Sequence, residues 1–187
     1  QMNAGAAAAT GEILCYLHAD TSLPPGFAKA AREALAPSPV VAAAFDFAVD
    51  GGGLRAALIS TLGTLRWRLS RRPYGDQGLC MPRSVYDALG GFPDQPVMED
   101  WEFAGRLKRY GRIARIPLRA VTSRRVWNTY GLVRPTVVNL AVVGGYRAGV
   151  PLAVLSRWRH SIAQPDPARP PHAETTSPIA PAQETGE

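Results

Sequence analysis

Apolar positions along the chain change their spacing repeatedly, and each change marks a new element. Gln1 to Thr10 is alanine-rich at helical spacing, with Gly11 as the expected stop because glycine accepts positive φ. Glu12 to His18 is a nearly continuous apolar run, the pattern of a strand buried on both faces of a parallel or mixed sheet. Asp20 ends it, and Thr21-Ser-Leu-Pro-Pro-Gly26 reads as turn chemistry. Phe27 to Leu35 has helical spacing up to the break at Pro37 and Pro39, and Val40 to Val49 is a second apolar strand. After Gly51-Gly-Gly53 a long helical pattern runs from Leu54 to Leu69, with arginines gathered toward its end, where the helix dipole favours them. Gln77 to Met81 predicts a strand, Arg83 to Leu89 one or two helical turns, and Gly90-Gly-Phe-Pro93 a tight turn. Met98 to Tyr110 is an amphipathic helix closed by Gly111. Arg112 to Ile116 and Ala120 to Ser123 are two further candidate strands, so the class is α/β.

Beyond Gly131 the composition shifts. Val133 to Leu155 is apolar, but Pro135, Asn139, Arg147 and Pro151 interrupt it, whereas a membrane span wants about 20 uninterrupted apolar residues. The expectation is a helical hairpin that packs on the core or lies on a membrane surface. Past Gln164 the chain is Pro, Ala, Thr and Glu without periodicity, which predicts a disordered tail. Three regions result: 1–130, the folded α/β part; 131–163, the apolar helical segment with possible peripheral membrane contact; and 164–187, the tail.

Composition adds a charge bias. Among 187 residues 21 are basic and 15 acidic, a net +6, and Lys29 and Lys108 are the only lysines. That balance suits an anionic partner. No nucleic-acid motif accompanies it and the arginines are spread over several elements, so nucleic acid is not an expected partner. Cys15 and Cys80, each in an apolar stretch, read as buried thiols of a reducing compartment. No basic segment followed by an apolar one opens the chain, so the expected location is cytoplasmic, with the inner face of the membrane as a further option.

Chemistry can sit where strands end in open α/β sheets. His18-Ala-Asp20 occupies such an end, and a carboxylate there can share a divalent ion with phosphates or merely cap the next turn. Glu99, Asp100 and Glu102 crowd the start of a predicted helix, which favours acids electrostatically. Paired carboxylates also shift each other's proton affinity, and one can act as a general base. Asp76 and Gln77, within Tyr74-Gly-Asp-Gln-Gly78, form either an acceptor contact or a turn. The pairs Arg71-Arg72 and Arg124-Arg125 could neutralise a diphosphate or simply be solvated. Trp101 and Trp127 stack on a sugar or pack in the core.

Taken together and in this order, Gln1-Met-Asn-Ala-Gly5, Leu17-His-Ala-Asp-Thr21, Gly75-Asp-Gln-Gly78, Leu89-Gly-Gly-Phe-Pro93 and Met98-Glu-Asp100 resemble family 2 glycosyltransferases of the GT-A fold. The likeness is nearest to the bacterial subgroup associated with radical-SAM and selenium-domain proteins, also described as arsenosugar-biosynthesis glycosyltransferases. It covers roughly residues 1 to 160.

The resemblance implies a GT-A-like mixed sheet flanked by helices, with a strand-helix-strand nucleoside-binding half ahead of Gln1 and an apolar helical segment after it. It implies a metal-dependent hexosyltransferase that moves a sugar from a nucleoside diphosphate sugar to an acceptor hydroxyl. Of the family's Asp-x-Asp metal motif only Asp20 matches, with His18 at the first position; the ion would be Mg²⁺ or Mn²⁺. Asp100 maps to the base of inverting members and Glu99 to its substrate-binding neighbour. Asp76, Gln77, Trp101, Arg72, Arg124 and Arg125 fall on the substrate side, and Asn3 and Gly5 on the nucleotide side. The Gln-x-x-Arg-Trp motif of processive members is absent, which points to a non-processive enzyme. A haloacid-dehalogenase-type phosphatase would need an Asp two residues after Asp20, where Ser22 stands. The alternative function is an inactive or non-catalytic interaction module of the same fold.

Overall fold

The computed structural model describes residues 1–131 and 133–160. The predicted tail over 164–187 and the end of the 131–163 segment lie outside the described residues. The fold is mixed α/β, with helices packed on a mixed sheet.

In chain order the elements are α1 (Met2–Ala8), β1 (Ile13–Tyr16), β2 (Thr21–Ser22), α2 (Phe27–Leu35), β3 (Val40–Val49) and α3 (Leu54–Ser70). A 3-10 turn at Gly75–Gln77 leads to β4 (Leu79–Pro82), α4 (Arg83–Ala88), α5 (Glu99–Tyr110) and β5 (Arg112–Thr122). The last described elements are α6 (Arg125–Tyr130), α7 (Val133–Arg147) and α8 (Leu152–His160).

The five strands lie in the order β1-β4-β3-β5-β2. β3 and β5 pair in parallel, while β1–β4, β3–β4 and β2–β5 are antiparallel. Alternation along β3 serves two cores. Ala42 and Ala44 join Trp67, Met81, Phe103 and Leu107 in one cluster; Ala43 and Phe45 join Ala31, Cys80 and Ile116 in the other. An interior strand with helices over both faces must be apolar on both, which is why Val40 to Val49 reads as a continuous run. Burying a side chain such as Phe103 contributes about 2–3 kcal/mol.

The structure differs from the pattern in several places, among them the strand expected from Gln77, which begins at Leu79 after a 3-10 turn. α1 stops at Ala8, before Gly11, because Ala9 is already extended. β1 is an antiparallel edge strand, not one buried on both faces; Leu14 is buried and Cys15 is exposed. The two strands expected around Pro117 are one strand with a bulge: Phe45 pairs with Ile116, and the next pair is Asp46 with Arg119. A bulge releases the residue in it from the ladder, so a proline without an N–H is tolerated there. α6 and the two-residue β2 have no periodic signature and are set by tertiary pairing.

The apolar segment forms the expected hairpin, α7 and α8. It packs on α5, with Val142 and Leu155 buried against Val97, Met98 and Trp101. No described helix is long and apolar enough to cross a membrane.

Cys15 and Cys80 face each other across β1–β4 with their sulfurs 3.2 Å apart. Cys80 donates to Cys15, which lowers the proton affinity of Cys15, while that bond and burial push Cys80 up. Since the thiolate is the reactive form, brief treatment of the native protein with iodoacetamide is expected to label Cys15 alone, and Cys80 only after unfolding. Peptide mass spectrometry reads the order; equal labelling of both in the native state would contradict the arrangement.

Candidate functional site

A cavity of about 1160 Å³ opens between α1, the end of β1, the loop after Gly91 and the start of α5. Its wall includes His18, Asp20, Gly75, Glu99 and Arg125, drawn from segments far apart in sequence.

Asp20 sits in the turn joining β1 to β2. Its backbone carbonyl accepts from Ser123 N (2.9 Å), and its exposed carboxylate lies 3.5 Å from the Thr122 hydroxyl. The turn is therefore fixed by β5 while the carboxylate stays available. His18 is exposed on one side and packs against Gly75 on the other: a Cβ at Gly75 would stand 2.2 Å from His18 Nε2. Only glycine admits the ring at that position.

The 3-10 turn brings Asp76 beside this pair. Oδ1 of Asp76 is buried without a hydrogen-bond partner among the described residues. Burial pushes its proton affinity up, opposed by the charges of Arg66 and His18, with Asp100 adding to the rise. A buried carboxyl oxygen without a partner is unusual, because such an atom costs free energy.

Asp100 stands in the first turn of α5. Oδ2 accepts from the amide of Gly75 (3.2 Å) and Oδ1 from that of Trp101 (2.7 Å). Through Gly75 its carboxylate is attached to the cavity wall, whereas Glu99 lines the cavity directly. The residue before the pair, Met98, has left-handed backbone (φ 66°) and a buried side chain. Glu102, third of the acidic group, turns away to accept from Tyr146 (3.1 Å) and Arg106 (3.3 Å).

Several residues nominated from the sequence are engaged elsewhere. Gln77 is fully buried: Oε1 accepts from Tyr74 N (3.0 Å) and Arg66 (3.3 Å), and Nε2 donates to Phe45 O (3.2 Å). It is an internal tie, not an acceptor contact. Trp101 is buried in the α5–α7–α8 cluster, edge-on to Tyr74 and with Arg72 over its face, so neither Trp101 nor Arg72 reaches the cavity. Arg124 packs its guanidinium against Gly51. Arg125 is exposed on the cavity wall. Asn3 lines the cavity, but its amide is spent on Phe92 N and O and on the Tyr86 hydroxyl, joining α1 to the Gly90-Gly91 turn. Gly5 is exposed on the wall, with open space where a Cβ would be.

Arg66 is a site neighbour that its sequence context does not reveal. Its guanidinium lies 3.2 Å from the Tyr74 ring centroid, bonds Gln77 and faces Asp76. In the sequence it is one arginine of a cationic helix end; only its inward position separates it from Arg55 and Arg68.

No group of three or more His, Cys, Asp or Glu among the described residues forms a metal cage. Mg²⁺ and Mn²⁺ do not need one, since they take one or two carboxylates and complete their shell with water and phosphate oxygens. The exposed oxygen donor of Asp20 on the cavity wall fits such a shared ion. No known family model matches the chain, and no curated protein matches it.

Proposed function

We propose that the chain carries the metal- and acceptor-facing part of a family 2 glycosyltransferase of the GT-A type. It moves a sugar from a nucleoside diphosphate sugar to an acceptor hydroxyl, with inversion and without processivity. The observation that carries this reading is that His18-Ala-Asp20, Gly75 and Glu99 line one cavity, with Asp100 bonded to the Gly75 amide behind its wall and Asp76 next to Gly75 in the chain. These are the segments whose order in the sequence resembles that family, and chance resemblance gives no reason for them to meet.

In this reading Asp20 would hold a divalent ion, which when bound would supply positive charge against the diphosphate leaving group. The acceptor oxygen attacks the anomeric carbon as its bond to the diphosphate breaks, and the hydroxyl proton passes to Asp100. Two backbone amides fix the Asp100 carboxylate, so its orientation is set before substrate arrives. Glu99 contacts the acceptor, and Arg125 faces the anionic product from the wall.

The Asp20 assignment is tested by calorimetric titration of a nucleoside diphosphate with and without Mn²⁺. In Asp20→Ala, Mn²⁺-dependent binding is expected to disappear while circular dichroism and the melting temperature hold, because the side chain is exposed. Undiminished affinity in the variant would remove the metal role.

A further inference from the structure

α3 is apolar on the side away from the core. At about 100° per residue, Ala56, Ser60, Gly63 and Trp67 fall on one side of the helix. Trp67 joins the main core, Ser60 donates to Ala56 O and accepts from Val49 N, and the Phe47 ring fills the space that a Cβ at Gly63 would need. Leu54, Leu58, Leu62, Leu65 and Leu69 fall on the opposite side within an arc of roughly 80°. All five are exposed, Leu54 by 86% and Leu69 by 77%. Scattered surface leucines need no explanation, but a continuous ridge along a 17-residue helix marks a contact surface.

Charge selects the partner. The arc is bordered by Arg55 on one side and Arg68 on the other, both exposed, and exposed Arg71 follows the helix end. No acidic residue lies between Asp50 and Asp76. Beside the ridge a second cavity, of about 630 Å³, has Arg68 and Arg119 on its wall; the Asp46 carboxylate there is already held by Arg115. A second copy of the chain would bring the same arginines against one another with no acid on α3 to meet them. A sheet of anionic headgroups over an acyl layer matches both features, since interfacial helices bury an apolar face and place arginines among the phosphates.

We infer that α3 docks the protein on an anionic membrane surface, with its leucine ridge in the headgroup–acyl boundary and Arg55 and Arg68 on lipid phosphates. The sequence pattern places membrane contact on the segment after Gly131, where Val133, Val137 and Leu140 of α7 are exposed; among the described residues the five leucines of α3 form a further exposed apolar ridge. The docking is independent of the glycosyltransferase reading, because no residue of the cavity at Asp20 takes part in it.

The test is flotation of the whole chain with vesicles of phosphatidylcholine alone and of phosphatidylcholine with phosphatidylglycerol in equal parts. Binding to the anionic vesicles only, weakened by salt, is expected. Leu58→Gln, Leu62→Gln and Leu65→Gln combined should reduce it by about 10-fold or more with an unchanged circular dichroism spectrum. Should that variant fail to fold, Arg55→Gln with Arg68→Gln decides the matter, through weaker binding and a shallower salt dependence. The inference is overturned if the parent does not float, if it floats equally with neutral vesicles, or if folded variants bind as well as the parent. Self-association abolished by the leucine variant without lipid binding would overturn it in favour of a second copy.

Discussion

Asp100→Asn is expected to lower glycosyl transfer by about 100-fold or more while leaving donor affinity nearly unchanged, the usual scale of a general-base contribution. The measurement is nucleoside diphosphate release from a panel of nucleotide sugars. Asn keeps the side-chain shape but replaces one of the two oxygens that accept from Gly75 and Trp101. Some loss of stability therefore accompanies the change, and a thermal melt separates it from the loss of turnover. Glu99→Gln should cost less, as Glu99 lines the cavity without a fixing contact of its own from those amides. If the Asn variant kept near-normal turnover and Glu99→Gln lost it, the base would be Glu99.

Gln77→Leu is expected to destabilise the fold by about 3 kcal/mol. Leu fills a similar volume but leaves the amide of Tyr74, the carbonyl of Phe45 and one N–H of Arg66 without their partner in a buried place. Each such loss costs about 1–3 kcal/mol, with some sharing among neighbours. Urea unfolding monitored by tryptophan fluorescence measures the difference. A loss below about 1 kcal/mol would mean that Gln77 is no internal tie and would return it to the acceptor side.

Elements whose signal is local were readable from the sequence. α2 and β3 keep their predicted bounds, because prolines and glycines punctuate them and their apolar spacing is unambiguous. What escaped was decided by tertiary contact. Pro117 reads as a strand break, yet parallel pairing with β3 carries β5 through it as a bulge. β2 exists only because Thr21 and Ser22 find β5. At the site the sequence shows which segments carry acidic and polar side chains, but not the direction in which those side chains point. Gln77 and Trp101 are ordinary polar and aromatic candidates in a linear reading, and only the fold shows that both point inward. Arg66 was hidden for the opposite reason: its charge suited a solvated helix end, and nothing in its spacing reveals that it faces Tyr74 and Asp76.

The left-handed backbone of Met98 has a cost of its own, about 1–2 kcal/mol for a residue with a side chain. It is retained because the thioether is held among Val97, Trp101, Val142 and Leu155, so α7 and α8 stabilise the conformation from which α5 starts. Glu99 and Asp100 follow at once, and their aim is fixed by that starting point. The apolar hairpin is thus the foundation on which the carboxylate pair stands, and a version of the protein shortened before Val133 would lose the bearing of its acids along with a peripheral layer of packing.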